Sequence, residues 1–434
     1  MNTTQEAFVR FRAILLAFAW LVLAWSTVAP ETATFPARMP LTKPTGRPLS
    51  AAMQRLYDVW NPHEDRGNEL YSNFKYSRLE GFSREPNVSR RDPSKVVRIN
   101  DTYYVWYTCR RTAGPPAGPA KATDAISSFD WDLAEIWYAT SRDGFQWQER
   151  GPAVRRPAKG QFGWRSNCTP DILLWRGKYY LYYQAYSAII EGGDNCPVTM
   201  AVADSPDGPW RPLGRPVLEP SEAGAWDGAC IHDPFPLVYR GKIYLYYKGQ
   251  PQKPIDNDMM IRAQGVAIAD RPEGPFQKSP LNPVINSGHE TCLWPWKEGI
   301  AALVSLDGPE KNTIQYAPDG LNFDVKSLVQ VPPIAPGPFV PDAFAGNGNG
   351  SGFTWGVCHV NPDGGGGMSE SILARFDCDL SLDVDRPQLK RNNLRFDEAT
   401  YFQRVLALPD SMRTTILRDR SQLETNTVMG GFFK

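Results

Sequence analysis

The chain has 434 residues, 47 basic and 47 acidic side chains, and hence no formal net charge. That balance excludes nucleic acid as a partner, because displacing counterions from phosphates needs a basic excess. Hydrophobic residues at 42%, with 14 Trp, 18 Tyr and 20 Phe, exclude a disordered chain and supply a large core.

Arg10 and Arg12 precede an apolar run from Ala13 to Trp25, and small residues follow at Ser26, Thr27 and Ala29. This is the order of a cleaved secretory signal over residues 1–29, with a core shorter than the ~20 residues of a membrane span. It predicts a secreted or periplasmic protein with no membrane attachment after cleavage. Residues 30–48 are Pro-rich and read as a flexible linker. In LSAAMQRLYDVW, apolar residues recur near helical spacing behind Ser50, a capping residue, so residues 49–85 read as an N-terminal helical arm.

From residue 86 to 385 one unit recurs five times. Its first half is a polar entry followed by two aromatic runs about a turn. The copies are Asp92–Thr108, Thr169–Ala185, His232–Gly249, His289–Ser305 and a degenerate Pro341–Val360. Asn-Asp or Arg-Gly-Lys between the runs marks a tight hairpin. The second half is an apolar strand, a Ser/Asp turn and an aromatic, as in VTMAVADSPDGPWRPLG (Val198–Gly214). Two hairpins per unit of roughly 50–80 residues predict an all-β fold, a five-bladed β-propeller, carrying the helical arm. Residues 386–434 form a charged, mixed C-terminal extension. Seven cysteines show no CxxC or Cys/His metal spacing, so no structural metal and no cofactor is expected.

In a propeller the inner strands start near the axis, so the unit entries converge. They carry Asp92, Asp171, Asp233, His289 with Glu290, and Asp342. One Asp beside a Pro is ordinary turn chemistry; a set at equivalent positions points to a site. Carboxylates with an imidazole suit glycoside hydrolysis, which needs a proton donor for the leaving oxygen and a base or nucleophile opposite. Trp131, Trp164, Trp294 and Trp296 are candidates to stack on sugar rings. A non-catalytic sugar-binding propeller is the rival from another class; lectins of that shape repeat their pocket between blades.

Specific motifs carry a resemblance. Ser50–Arg55 fits an SxAxxR pattern, followed by NELYSNFKYSRLEGF (Asn68–Phe82), SRRDPSKV (Ser89–Val96), IHDPF (Ile231–Phe235) and SGHE (Ser287–Glu290). In these the chain resembles glycoside hydrolase family 117, the 3,6-anhydro-α-1,3-L-galactosidases, over residues 49–385. The resemblance implies an inverting exo-enzyme on neoagaro-oligosaccharides, with Asp92 as general base, Asp233 as auxiliary carboxylate, His289 as general acid and Glu290 beside it. It also implies sugar contacts at Asn167, Thr169 and Gln184, with Trp164 near them, and a homodimer formed through an arm that includes Arg55. Other glycosides, such as arabinofuranosides, xylosides or carrageenan-type ends, are the alternative substrates on the same fold.

Overall fold

A computed structural model describes residues 34–58, 65–191, 196–251, 262–346, 350–364, 366–382 and 394. The expected signal peptide and, except for Leu394, the C-terminal extension lie outside these residues.

The repeat folds as alternating aromatic and apolar runs dictate, into antiparallel sheets of short strands. The first comprises β2 (Val88–Arg91), β4 (Thr102–Arg111), β5 (Ala134–Ser141) and β6 (Trp147–Val154), with β3 (Val97–Ile99) continuing the line of β2 against β4. The second runs β7 (Ser166–Trp175), β8 (Lys178–Tyr186), β9 (Val198–Ala203) and β10 (Arg211–Pro212). The third repeats that order with β11 (Cys230–Tyr239), β12 (Lys242–Gln250), β13 (Ala263–Ala269) and β14 (Gln277–Lys278).

The remaining sheet holds eight strands. One half is β15 (Cys292–Lys297), β16 (Gly299–Val304), β17 (Thr313–Ala317) and β18 (Asp324–Leu328). The other is β19 (Ile334–Pro338), β20 (Gly350–Val360), β21 (Ile372–Ser381) and β1 (Lys75–Arg78). Among the described residues, the ladder joins the halves at Trp296–Ser351 and Lys297–Gly350. The final group thus draws its outermost strand from ahead of the first sheet, with Tyr76 opposite Phe376.

The predicted hairpins are two-residue turns. Asn100–Asp101, Arg176–Gly177 and Arg240–Gly241 all have positive φ at both central residues, which matches the strands' right-handed twist. The fifth entry is shifted from its expected place. Its inner strand is β19, seven residues before Pro341, and Asp342 instead accepts hydrogen bonds from the Ser351 amide and hydroxyl.

Aromatic side chains fill the spaces between sheets. Trp106, Trp226, Trp294, Trp296, Tyr107, Tyr182, Tyr246 and Tyr247 are fully buried. Trp294 and Trp296 are therefore core residues, not sugar platforms. Each such burial stabilises by about 1.5–3 kcal/mol.

Helix is scarce. The longest helix among the described residues is α1 (Ala51–Arg55), where Ser50 Oγ accepts from the Met53 amide as its cap. Residues 34–48 are not a free linker along their described length. Phe35 is buried, and Pro36 pairs with Ala225. No helix among the described residues is long and apolar enough to cross a membrane.

Candidate active site

The site begins with a backbone irregularity that recurs once per inner strand. Asp92, Thr169, Asp233, Glu290 and Ala335 have φ of 48°, 49°, 49°, 58° and 46°. In β7, β11 and β19 the ladder register slips at this point, and between β2 and β3 it is interrupted. Proline follows at 93, 170, 234 and 336; having no N–H, it gives nothing to the ladder and tolerates the bulge. All five positions line one cavity of about 40 Å³; at Glu290 the register of β15 and β16 runs on unbroken to the His289–Leu306 pair, with no bulge. The equivalent positions are therefore Asp92, Thr169, Asp233, Glu290 and Ala335, with Asp171 two residues beyond its bulge and salt-bridged to buried Lys95.

Above this cavity lies a pocket of about 240 Å³. Arg91, Asp92, Thr169, Gln184, Asp233, His289 and Glu290 line it, with Trp131, Tyr186, Lys248 and Arg262 among the others. Three carboxylates and two imidazoles, those of His232 and His289, thus line one pocket. Asp92 Oδ2 accepts from Arg91 Nε at 2.9 Å, Thr108 Oγ1 at 3.2 Å and Thr169 Oγ1 at 3.3 Å. Burial opposes ionisation of Asp92, but the Arg91 guanidinium and the His359 ring together hold the carboxyl below its usual range.

Asp233 is fixed through its neighbours. Its amide donates to Gln184 Oε1 at 3.1 Å, Lys248 Nζ lies 3.3 Å from Oδ2, and the Glu290 amide donates to the same oxygen at 3.3 Å. Burial would raise this carboxyl; Lys248 and His289 bring it down to about 2. Glu290 goes the other way. Burial pushes it up to about 6, against the pull of His289 and Arg91, and its Oε2 has no hydrogen-bond partner among the described residues.

His289 is half-exposed at the pocket edge. Its Nδ1 lies 3.2 Å from Asp307 Oδ2 and its Nε2 3.8 Å from Glu290 Oε1. Arg262 holds Asp307 at 3.0 Å. The proximity of His289, then of Arg262, keeps Asp307 far below the usual carboxylate range despite partial burial. The backbone of His289 is held by reciprocal bonds with Leu306 at 3.1 and 3.3 Å.

Asp92, Glu290 and His359 each bring one donor atom within 4.8 Å of the others. Those atoms already serve one another. His359 Nδ1 accepts the Asp92 amide proton at 3.2 Å, and Arg91 reaches both carboxylates.

Three expected contacts fall outside the pocket lining. Asn167 Nδ2 donates to Arg155 O, and Trp164 Nε1 donates to Ser187 O. Arg55 is engaged by Glu310. Asn167 lies two residues before its bulge, so the rotation that turns Thr169 inward does not carry it. Trp131 does line the pocket, stacked on Phe129 at 4.6 Å with Arg91 over its ring at 4.9 Å.

Sequence reasoning missed Arg91, Thr108, Lys248, His359, Asp307 and Arg262. Two were within reach. Thr108, Gln184 and Lys248 end the same aromatic run in the first three copies, and each pairs across the ladder with the residue before, or one before, a bulge: Arg91, Cys168 and His232. Aligning the copies marks all three as pocket-facing.

The model of the family described as Glycosyl hydrolases family 43 matches residues 125–266. A search of curated protein sequences gives no match. Among solved structures, Zg3597, a family 117 glycoside hydrolase produced by the marine bacterium Zobellia galactanivorans, is 52% identical. The match covers 74% of this chain and 95% of that one, with a TM-score of 0.69. CoXyl43, a GH43 β-xylosidase/α-arabinofuranosidase from a compost microbial metagenome, is 17% identical, with 69% and 94% of the two chains covered and a TM-score of 0.48. The GH43_1 enzyme from Xanthomonas citri complexed with xylose is 15% identical, with 68% and 88% covered and a TM-score of 0.45. Identity at half the positions across nearly all of Zg3597, together with a pocket built of carboxylates and imidazoles, places the chain: it belongs to glycoside hydrolase family 117 and is a glycoside hydrolase.

Proposed function

We propose that the protein is an exo-acting enzyme that releases 3,6-anhydro-L-galactose from the non-reducing end of neoagaro-oligosaccharides, with inversion at the anomeric carbon. The observation that carries this reading is the gathering of Asp92, Asp233, Glu290 and His289 around one pocket of about 240 Å³, room for little more than a terminal sugar and its neighbour. Asp92, held ionised by Arg91, is the base that takes a proton from water. Asp233, ionised beside Lys248, faces the positive charge that develops on the ring.

The proton donor in this reading is His289, the role that the resemblance to glycoside hydrolase family 117 implies for it. It stands at the pocket edge, with Nε2 3.8 Å from Glu290 Oε1. Asp307 Oδ2 lies 3.2 Å from its Nδ1 and orients the ring.

The same reading extends to the whole chain. The five four-strand groups, whose left-handed positions meet at one cavity, are the blades of a five-bladed propeller, closed where β1 joins β21. The leader directs export, and the segment around α1 is the arm through which two chains pair.

Incubation with neoagarobiose, followed by proton NMR, tests the activity and the anomer first formed. Asp92→Asn and His289→Ala each lower kcat by a thousandfold or so under this reading. Retained activity in either variant overturns the residue assignment. Turnover of arabinofuranosides or xylosides without turnover of neoagarobiose overturns the substrate.

A further inference from the structure

Helix α1 makes its polar contacts with one short part of the chain. Ser50 Oγ donates to Pro283 O at 2.6 Å, and Asn286 Nδ2 donates to Ala52 O at 3.0 Å. Arg55 donates through Nε and Nη2 to both oxygens of Glu310, at 2.7 and 2.9 Å, and through Nη1 to Phe323 O at 2.6 Å. The Glu310 side chain is 2% exposed and that of Arg55 14%. Such a fork in a dry site is strong and directional, and neither lysine nor a neutral side chain replaces it.

Glu310 passes this contact towards the pocket. Its amide donates to Ser287 Oγ at 2.8 Å, and Ser287 Oγ in turn donates to Asn286 Oδ1 at 3.0 Å. Ser287 stands two residues before His289, and Asp307 three before Glu310. The two legs are closely packed: a Cβ on Gly308 would lie 2.5 Å from Ser287 Oγ. Residues 286–289 and 306–310 therefore form one loop pair, with His289 and its Asp307 partner at one end and the Arg55 fork at the other.

We propose that Arg55 and Glu310 are positioning residues for His289. The fork holds the loop pair so that Nε2 of His289 faces the pocket while Nδ1 stays on Asp307. This rests on the reading of His289 as general acid. Without Arg55, a buried Glu310 carboxylate keeps only Gln315 Nε2, at 3.0 Å, as a side-chain partner, and it shifts towards solvent with the leg it anchors.

The test separates position from turnover. The chain has four histidines, His63, His232, His289 and His359, so the ring-proton NMR spectrum is simple, and His289→Asn assigns the His289 signal by its disappearance. In Arg55→Met and Glu310→Gln the His289 signal is expected to move while the His232 and His359 signals hold. On the oligosaccharide, kcat is expected to fall about ten- to a hundredfold with KM changed less than about twofold, the size of effect expected from a misplaced catalytic group. Arg55→Lys, which keeps the charge without the fork, is expected to lie between wild type and Arg55→Met in both measurements, and it decides the matter if the Met variant does not fold. An unmoved His289 signal in folded variants overturns the proposal whether or not any glycoside is turned over. Loss of turnover in wild type with a moved signal in the variants overturns only the catalytic reading.

Discussion

The Asp307 carboxylate stands 3.2 Å from Nδ1 of His289, on the far side of the ring from Glu290. A carboxylate in this place fixes the tautomer and stabilises the charged ring, as an orienting group does for any catalytic imidazole. Asp307→Asn keeps the shape and removes the charge. The expected outcome is a ten- to hundredfold fall in kcat, of the order of ~1.4–2.7 kcal/mol. An unchanged kcat would separate Asp307 from the proton donor.

Left-handed backbone at a non-glycine residue costs roughly 1–2 kcal/mol. At Ala335 (φ 46°) the methyl group serves no partner in the pocket, so Ala335→Gly relieves strain without loss of function. Denaturant titration should show a gain of about 0.5–1 kcal/mol and an unchanged kcat. Thr169→Gly relieves the same strain but deletes a hydroxyl on Asp92. Its stability should rise or hold while kcat falls, a trade that identifies strain kept for function.

Two carboxyls set opposite pH trends. Asp233 is depressed from 3.8 to about 2, so its contribution is present above pH 3.8 and is lost as pH falls through 2. Glu290 is raised from 4.5 to about 6, so its contribution is present below pH 4.5 and is lost as pH rises through 6. Each is of the order of ~2 kcal/mol. Calorimetry of wild type and Glu290→Gln between pH 4 and 7 should therefore show the variant gaining on wild type as pH rises. A parallel pair of curves would mean that Glu290 titrates normally.

Gly288 precedes His289 with φ +144°, and a Cβ there would lie 2.5 Å from Gln264 Cγ, whose Nε2 donates to the Gly288 carbonyl at 2.7 Å. Gly288→Ala pushes either the loop or Gln264 aside. We expect kcat to fall tenfold or more with a loss of stability of about 1–3 kcal/mol. Full activity would show that the His289 loop adapts freely.

Much of this was legible in the chain because repetition exposes geometry. The YYVWY, YYLYY and IYLYY runs became β4, β8 and β12, and their hairpin turns lie where Asn-Asp and Arg-Gly occur. Asp92 and Asp233 declared themselves through the proline after them. The fifth copy misled because its bulge carries Ala335, a residue without chemistry, and the nearest Pro-Asp pair stood seven residues on. Asp307 follows Leu306, which pairs with His289 in the continued register of β15 and β16, whereas Arg262 and His359 could not be read at all. Each reaches its partner from another sheet or a distant loop, and no spacing in the chain records that approach.

The pairing of β1 with β21 has a consequence in time. Lys75 faces Asp377 and Arg78 faces Ala374, so the first strand among the described residues pairs with the last of them. Until β21 is made that edge stays open, and the final sheet cannot close behind a partly made chain. Completion of this sheet therefore waits on residues 372–381. A chain cut short before Ile372 would leave Lys75–Arg78 as a bare strand edge, available to any neighbour.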